Sequence, residues 1–229
     1  MRRALVTLLV LLAVVGVGGY LADSYVRGRA EDQSASAIQA ALGLDAKPTV
    51  TLGGFPFSLA FFTRSVPDAR ATARQVPLTV SGQKLNLSDV MVDSDTIRLT
   101  GSEVRLARAT GTAVLDYGGL AQLAGVPVSY AGDGRLKVSY TALVGGQQLG
   151  VGVTAVPKLD VDAGVIRLTK VKLDPDGAPS VSLGQAQLTS LAKPIPVKLP
   201  KGVQLTALTA SEGGVAVAAM ATNLTLPLS

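Results

Sequence analysis

Two short runs place paired carboxylates ahead of a glycine: Asp160-Val161-Asp162-Ala163-Gly164 and Asp174-Pro175-Asp176-Gly177. Aspartates at that spacing present hard oxygens of the kind a calcium ion takes. Neither run is followed by the glutamate that closes a calcium loop, and Asp-Gly between strands is a favoured hairpin turn, so both read as turns. Asp93 and Asp95 are a third carboxylate pair. Nothing in their neighbourhood marks the cleft that would separate their pKa values, so they read as solvated rather than as a general acid and base. The other side chains that catalysis favours are missing, since the 229 residues hold no His and no Cys. This removes the commonest general base, the commonest metal ligand, Ser-His-Asp hydrolysis, thiolate metal sites and disulfides together. No Gly-x-Ser-x-Gly elbow and no phosphate-binding loop occurs. The expectation is a protein that is not an enzyme and carries no cofactor or metal. Net charge is +5 and the basic residues are dispersed. Nucleic-acid binding would want a basic patch with stacking aromatics, so no nucleic-acid partner is expected.

What remains is apolar chemistry, and it is concentrated. All four phenylalanines of a chain without Trp (Phe55, Phe57, Phe61 and Phe62) fall within eight positions, in Gly53-Gly54-Phe55-Pro56-Phe57-Ser58-Leu59-Ala60-Phe61-Phe62. The glycines reach backbone angles closed to other residues, while Pro56 fixes its own φ and restricts Phe55, so the segment reads as a strand end that turns sharply. Two readings stand side by side. The phenylalanines are a core plug, as Phe usually is, or they line or gate an apolar cavity. Tyr117, Tyr130 and Tyr140 read as half-buried strand residues, with a place at a cavity mouth as the alternative.

The elements that must position this cluster follow from composition and periodicity. Hydrophobic residues make up 48%, charged residues 16%, and there are 25 glycines. That excludes disorder and suits many short strands joined by glycine turns. Met1-Arg2-Arg3 and the apolar residues 4–19 have the form of a secretory leader. Counted over residues 4–22 the apolar run is also long enough to span a bilayer, so a cleaved signal and a retained anchor both stand, with residues 23–229 forming one exported domain. Asp23-Ser24 offers an N-cap for an amphipathic helix over residues 25–42, closed by Gly43. Residues 47–52 read as a strand, 58–65 as a helical turn or two, and from residue 76 onward period-2 alternation dominates. In that alternation Val104 and Leu106 share a dry face, and Arg108, on the same parity, marks a strand end or snorkels outward. Leu120, Leu123 and Ala124 suit a short helix capped by Gly125. Strands resume between glycine turns to residue 173. Residues 182–192 suit a further short helix, 193–200 are extended because three prolines exclude a helix, and 203–226 form a closing hairpin. The fold class is α+β, mostly β.

Taken in order, the N-terminal helix, Gly53-Gly54-Phe55-Pro56-Phe57, Thr112-Ala113-Val114 running into Leu120, Leu199-Pro200-Lys201-Gly202-Val203-Gln204-Leu205 and Gly213-Gly214-Val215-Ala216-Val217 resemble the actinobacterial LmeA family. The resemblance covers nearly the whole exported chain. It implies a cell-envelope phospholipid-binding protein linked to mannan polymerisation in lipomannan synthesis. It also implies a fold similar to the tubular lipid-binding superfamily of bactericidal/permeability-increasing proteins, in which a strongly curved antiparallel sheet wraps around an N-terminal helix and leaves an elongated apolar tunnel. Phe55, Pro56 and Phe57 occupy the family's box. Ser58-Leu59-Ala60-Phe61-Phe62 departs from the stretch that usually follows it, so Leu59, Phe61 and Phe62 are lining candidates from this sequence alone.

Both lines lead to an exported lipid binder. Burying acyl chains gains about 0.8 kcal/mol per methylene and asks nothing of His or Cys. The expected partners are phospholipid, the membrane surface and envelope glycan-assembly proteins. A membrane-tethered structural module with a filled core is the alternative, and a carboxylate-only glycan enzyme the third reading.

Overall fold

The computed structural model describes residues 2–80, 83–100, 103–144, 147–161, 165–174, 195–196 and 202–227. Helix α1 (Arg2–Leu42) runs without interruption for 41 residues. It ends as its sequence requires: Gly43 takes φ 61°, and the Leu44 N–H donates to the Gln39 carbonyl at 3.0 Å, which satisfies a terminal carbonyl. Its beginning corrects the expectation, because Asp23-Ser24 lies far inside the helix and caps nothing. Among residues with described side chains no helix is long and apolar enough to cross a membrane. The side chains of residues 2–21 lie outside that description.

The chain continues through β1 (Thr49–Leu52), α2 (Leu59–Thr63), β2 (Ser65–Val66), β3 (Ala69–Val80), β4 (Gln83–Ser94), β5 (Ile97–Thr100) and β6 (Glu103–Leu115) to α3 (Tyr117–Ala124). Then follow β7 (Val128–Tyr130), β8 (Leu136–Val144), β9 (Gln147–Asp160), β10 (Val165–Leu173), β11 (Ile195–Pro196), β12 (Val203–Ser211) and β13 (Gly214–Pro227). The mostly β, antiparallel class is as expected. The single sheet is not: the described strands divide into one sheet ordered β1-β3-β4-β6-β13-β12, with β5 paired on β6 and β2 on β5, and another ordered β11-β10-β9-β8-β7. Helix α3 separates them along the chain. The Asp116 carboxylate accepts from the Gly119 N–H at 2.5 Å and Gly125 closes the helix at φ 68°, so both ends are capped and the strand run is broken there. The first helix also sits differently from the expected core position, since α1 packs on β1, the edge strand of the larger sheet.

Three apolar clusters hold these parts. Leu85, Leu115, Leu120, Leu136, Ala210 and Val215 join the two sheets under α3. There the Tyr117 ring stacks on Tyr130 with centroids 6.5 Å apart, and its hydroxyl donates to the Ser211 carbonyl. Val138, Val151, Val153, Ala155 and Val171 fill the smaller sheet. Ala35, Val50, Leu52 and Phe57 fasten α1 to the larger one.

Strand β6 changes its dry face along its length. It pairs with β13 in one register, Leu115 with Val215 down to Glu103 with Pro227 apart from a gap at Ala107 and Asn223, so its side chains alternate faces along the paired stretches. Ala109, Ala113 and Leu115 are buried on one face. Arg105 and Glu103 lie on that same face, and Leu106 lies on the other. The dry face therefore changes parity near Arg108, which marks neither a strand end nor a dry position but is exposed in mid-strand. In β4 the break in alternation between Leu85-x-Leu87 and Val90-x-Val92 is a bulge, where pairing shifts between Ser88 and Met91 and Asp89 takes φ 50°. Of the carboxylates considered for chemistry, Asp93 is in strand β4 and pairs with Arg70 at 2.5 Å on the surface, and Asp160 pairs with Arg167 at 2.9 Å. The expected helix over 182–192 lies outside the described residues.

Candidate functional site

The phenylalanine segment is positioned from α1 by three charged side chains four residues apart, which puts them on one side of the helix. Glu31 Oε1 accepts from the Leu52 N–H at 2.8 Å. Arg27 donates to the Gly54 carbonyl at 2.5 Å and stands over the Phe57 ring, 5.8 Å from its centroid. Asp23 Oδ1 accepts from the Ser58 N–H at 2.7 Å. The Phe55–Pro56 peptide is cis. Gly53 and Gly54 let the Pro67-Asp68 segment come close: the Gly53 N–H donates to the Asp68 carbonyl at 2.6 Å, and a Cβ on Gly54 would meet Pro67 at 2.8 Å. This ladder was legible only as a spacing. Asp23, Arg27 and Glu31 recur every four residues, but nothing local says what they face.

Held this way, the box residues part company. Phe57 is 4% exposed and packs with Ala35, Val50 and Leu52. Phe55 is 70%, Leu59 54% and Phe62 85% exposed. Pro56 is exposed beside them. Phe61 belongs to α2, and its side chain lies outside the described residues. The core-plug reading therefore fits Phe57. Phe55, Leu59 and Phe62 instead form an apolar outer surface on a segment tied to the first turns of α1 past residue 22. Tyr117 and Tyr130 belong to the joint between the sheets.

The backbone N–H groups of Phe57 and Ser58 hold the Asp23 carboxyl below its ordinary value of 3.8, outweighing its desolvation, and Arg27 adds to them. A carboxyl depressed on folding contributes stability above its unfolded pKa and loses it as pH falls through the folded value. Asp23→Asn should therefore flatten the acid branch of the stability curve below about pH 4. Urea melts from pH 2 to 7 will check this, and an unchanged acid branch would contradict the role assigned to the carboxylate.

A second feature lies beyond α2. Ser65 in β2 pairs with Arg98 in β5, and Arg98 pairs directly with Arg105 in β6. Both arginines line an open cleft of about 390 Å³ together with Thr96, Ala107, Asn223 and Thr225. Arg105 contacts Glu103 at 3.2 Å, and among the described residues Arg98 has no carboxylate at ion-pair distance. Another cleft of about 350 Å³ is lined by Arg74 together with Asp45 and Asp89, so its charge balance is the reverse. Alternation in the sequence sets Arg98 apart from Leu99 and Arg105 apart from Leu106 but gives no means of bringing the two arginines opposite each other. No cluster of acidic residues that could hold a metal ion occurs among the described residues.

A family model described as LmeA-like phospholipid-binding matches residues 21–220. No curated protein and no solved structure matches the chain.

Proposed function

The chain belongs to the LmeA-like phospholipid-binding family, and from that premise we propose that it is an exported envelope protein that holds the acyl chains of a phospholipid in an apolar tunnel and loads them at the membrane surface. The observation that carries this reading is the splitting of the phenylalanine box. Phe57 anchors the segment while Phe55, Leu59 and Phe62 stay in water, an arrangement with a hydrophobic cost that contact with lipid removes. Asp23 ties that surface to α1 next to the apolar residues 4–22. If that run is retained as an anchor, it holds Phe55, Leu59 and Phe62 at the bilayer interface; if it is cleaved, the same three residues supply the membrane contact. The process served is the one the family resemblance implies, mannan polymerisation in lipomannan synthesis, in company with envelope glycan-assembly proteins.

Native mass spectrometry of the full chain, released from detergent micelles, tests the binding. Phospholipid masses retained at unit stoichiometry and lost on denaturation are expected. A chain that carries no phospholipid and takes none up from added vesicles would instead be the tethered structural module.

A further inference from the structure

The cleft holding Arg98 and Arg105 is lined from β5, β6 and β13, with Leu106 and Leu224 beside the polar groups, and by register Arg98, Arg105 and Thr225 share the face of β6 that carries Ala109 and Ala113. Along β6 the residues of that side run from Arg105 through Ala107 to Ala109, Gly111 and Ala113, so one continuous face passes from charge to small apolar groups. On β4, Val92 lies directly opposite Gly111 on the same face and is still 39% exposed, so the apolar part is open to solvent there. On β13, Asn223 takes φ 52° opposite Ala107, where the ladder between Thr222 and Leu224 lapses.

We propose that Arg98 and Arg105 bind the phosphodiester of a phospholipid, with its acyl chains lying over Val92, Gly111 and Ala219 on the same face. This rests on the phospholipid-binding reading above and assigns its headgroup site. Two guanidinium groups directly opposite each other across a ladder repel, and an anion between them turns that repulsion into attraction. Guanidinium forks match the oxygens of a phosphate in pairs, which an ammonium does not. Glu103 neutralises part of Arg105 but reaches only that residue, which leaves net positive charge for a monoanionic diester. Thr96, Asn223 and Thr225 add hydroxyl and amide groups for the polar remainder of a headgroup. Ser65, the pairing partner of Arg98, follows Phe62 by three residues, so β2 links the strand of Arg98 to α2.

The test compares dioleoylphosphatidylglycerol with dioleoylglycerol, which has the same chains and no phosphate, by native mass spectrometry of the full chain. The wild type should retain the phospholipid over the diacylglycerol by at least about tenfold, the worth of one charge-assisted hydrogen bond. Arg98→Gln/Arg105→Gln should lose that preference, retain the diacylglycerol as before, and melt no lower than the wild type, since both side chains are exposed. Arg108→Gln, on the opposite face of β6, should keep the preference. A double variant that still prefers the phospholipid tenfold overturns the assignment while leaving phospholipid binding intact. A wild type that retains neither lipid is a failure of the binding reading itself. Displacement of the phospholipid by millimolar glycerol 3-phosphate would make the cleft a site for free phosphate esters and overturn the lipid assignment, and no displacement is expected.

Discussion

Phe57→Ala will destabilise the fold by about 3 to 5 kcal/mol, the cost of deleting a buried aromatic ring and leaving a cavity. The ring is 4% exposed and sits where α1, β1 and the turn before α2 meet, so no single element can collapse to fill the space. It also gives Arg27 the surface over which its guanidinium lies, and Arg27 in turn holds the Gly54 carbonyl. For a chain of this length the melting temperature should fall by on the order of 10 °C. Phe62→Ala, five residues away and 85% exposed, should change stability by less than about 0.5 kcal/mol. Vesicle flotation of the same two variants in the chain lacking residues 1–22 completes the comparison: Phe62→Ala should weaken membrane association while remaining folded. If the two variants melt alike, the division of the box into an inner and an outer half is wrong.

The second large effect is in the smaller sheet and concerns a charge rather than a ring. Asp174 is 5% exposed directly after β10, its N–H donates to the Gly152 carbonyl at 2.9 Å, and its carboxylate forms an ion pair with Lys137 of β8. Gly152 has no room to yield, because a Cβ there would meet the Asp174 side chain at 3.0 Å. Lys137→Met keeps most of the aliphatic stem but leaves the carboxylate buried without its cation, so it should cost about 3 to 5 kcal/mol. Lys137→Met/Asp174→Leu should recover most of that, since replacing both partners of a buried pair by apolar groups is often neutral. Chemical denaturation of the three proteins decides it. A single variant losing less than about 1 kcal/mol would place the pair among exposed ion pairs of little worth.

Much of this architecture was legible along the chain because it depends on neighbours. Gly43 and Gly125 close their helices through local backbone angles, and Leu120 and Leu123 on one face were enough to mark α3. The closing hairpin follows from two alternating runs about a Glu212-Gly213-Gly214 turn. The absence of His and Cys removed whole classes of chemistry without reference to any fold, and the spacing of four phenylalanines made their segment distinctive. The division of the strands into two sheets was not legible, because every antiparallel strand has the same alternation whichever sheet it joins.

The geometry of the candidate site comes from contacts between distant residues. Inside Gly-Gly-Phe-Pro-Phe neither helical nor strand periodicity operates, so nothing local says that Phe57 turns in and Phe55 out; Asp23, Arg27 and Glu31 of α1 impose it from about 20 to 35 residues away. Alternation along β6 gives two faces but does not say which is dry, and the partner elements make one face dry at Ala113 and wet at Arg105. Arg98 and Arg105 face each other because β5 and β6 pair in one register out of several that their sequences permit. The sequence by itself determined that no imidazole or thiol chemistry is available, where α1 and α3 end, and which segment is distinctive, since these follow from residue type and short-range periodicity. Tertiary structure alone decided which side chains meet, because register and docking are set by the burial of whole faces against partners remote in the chain.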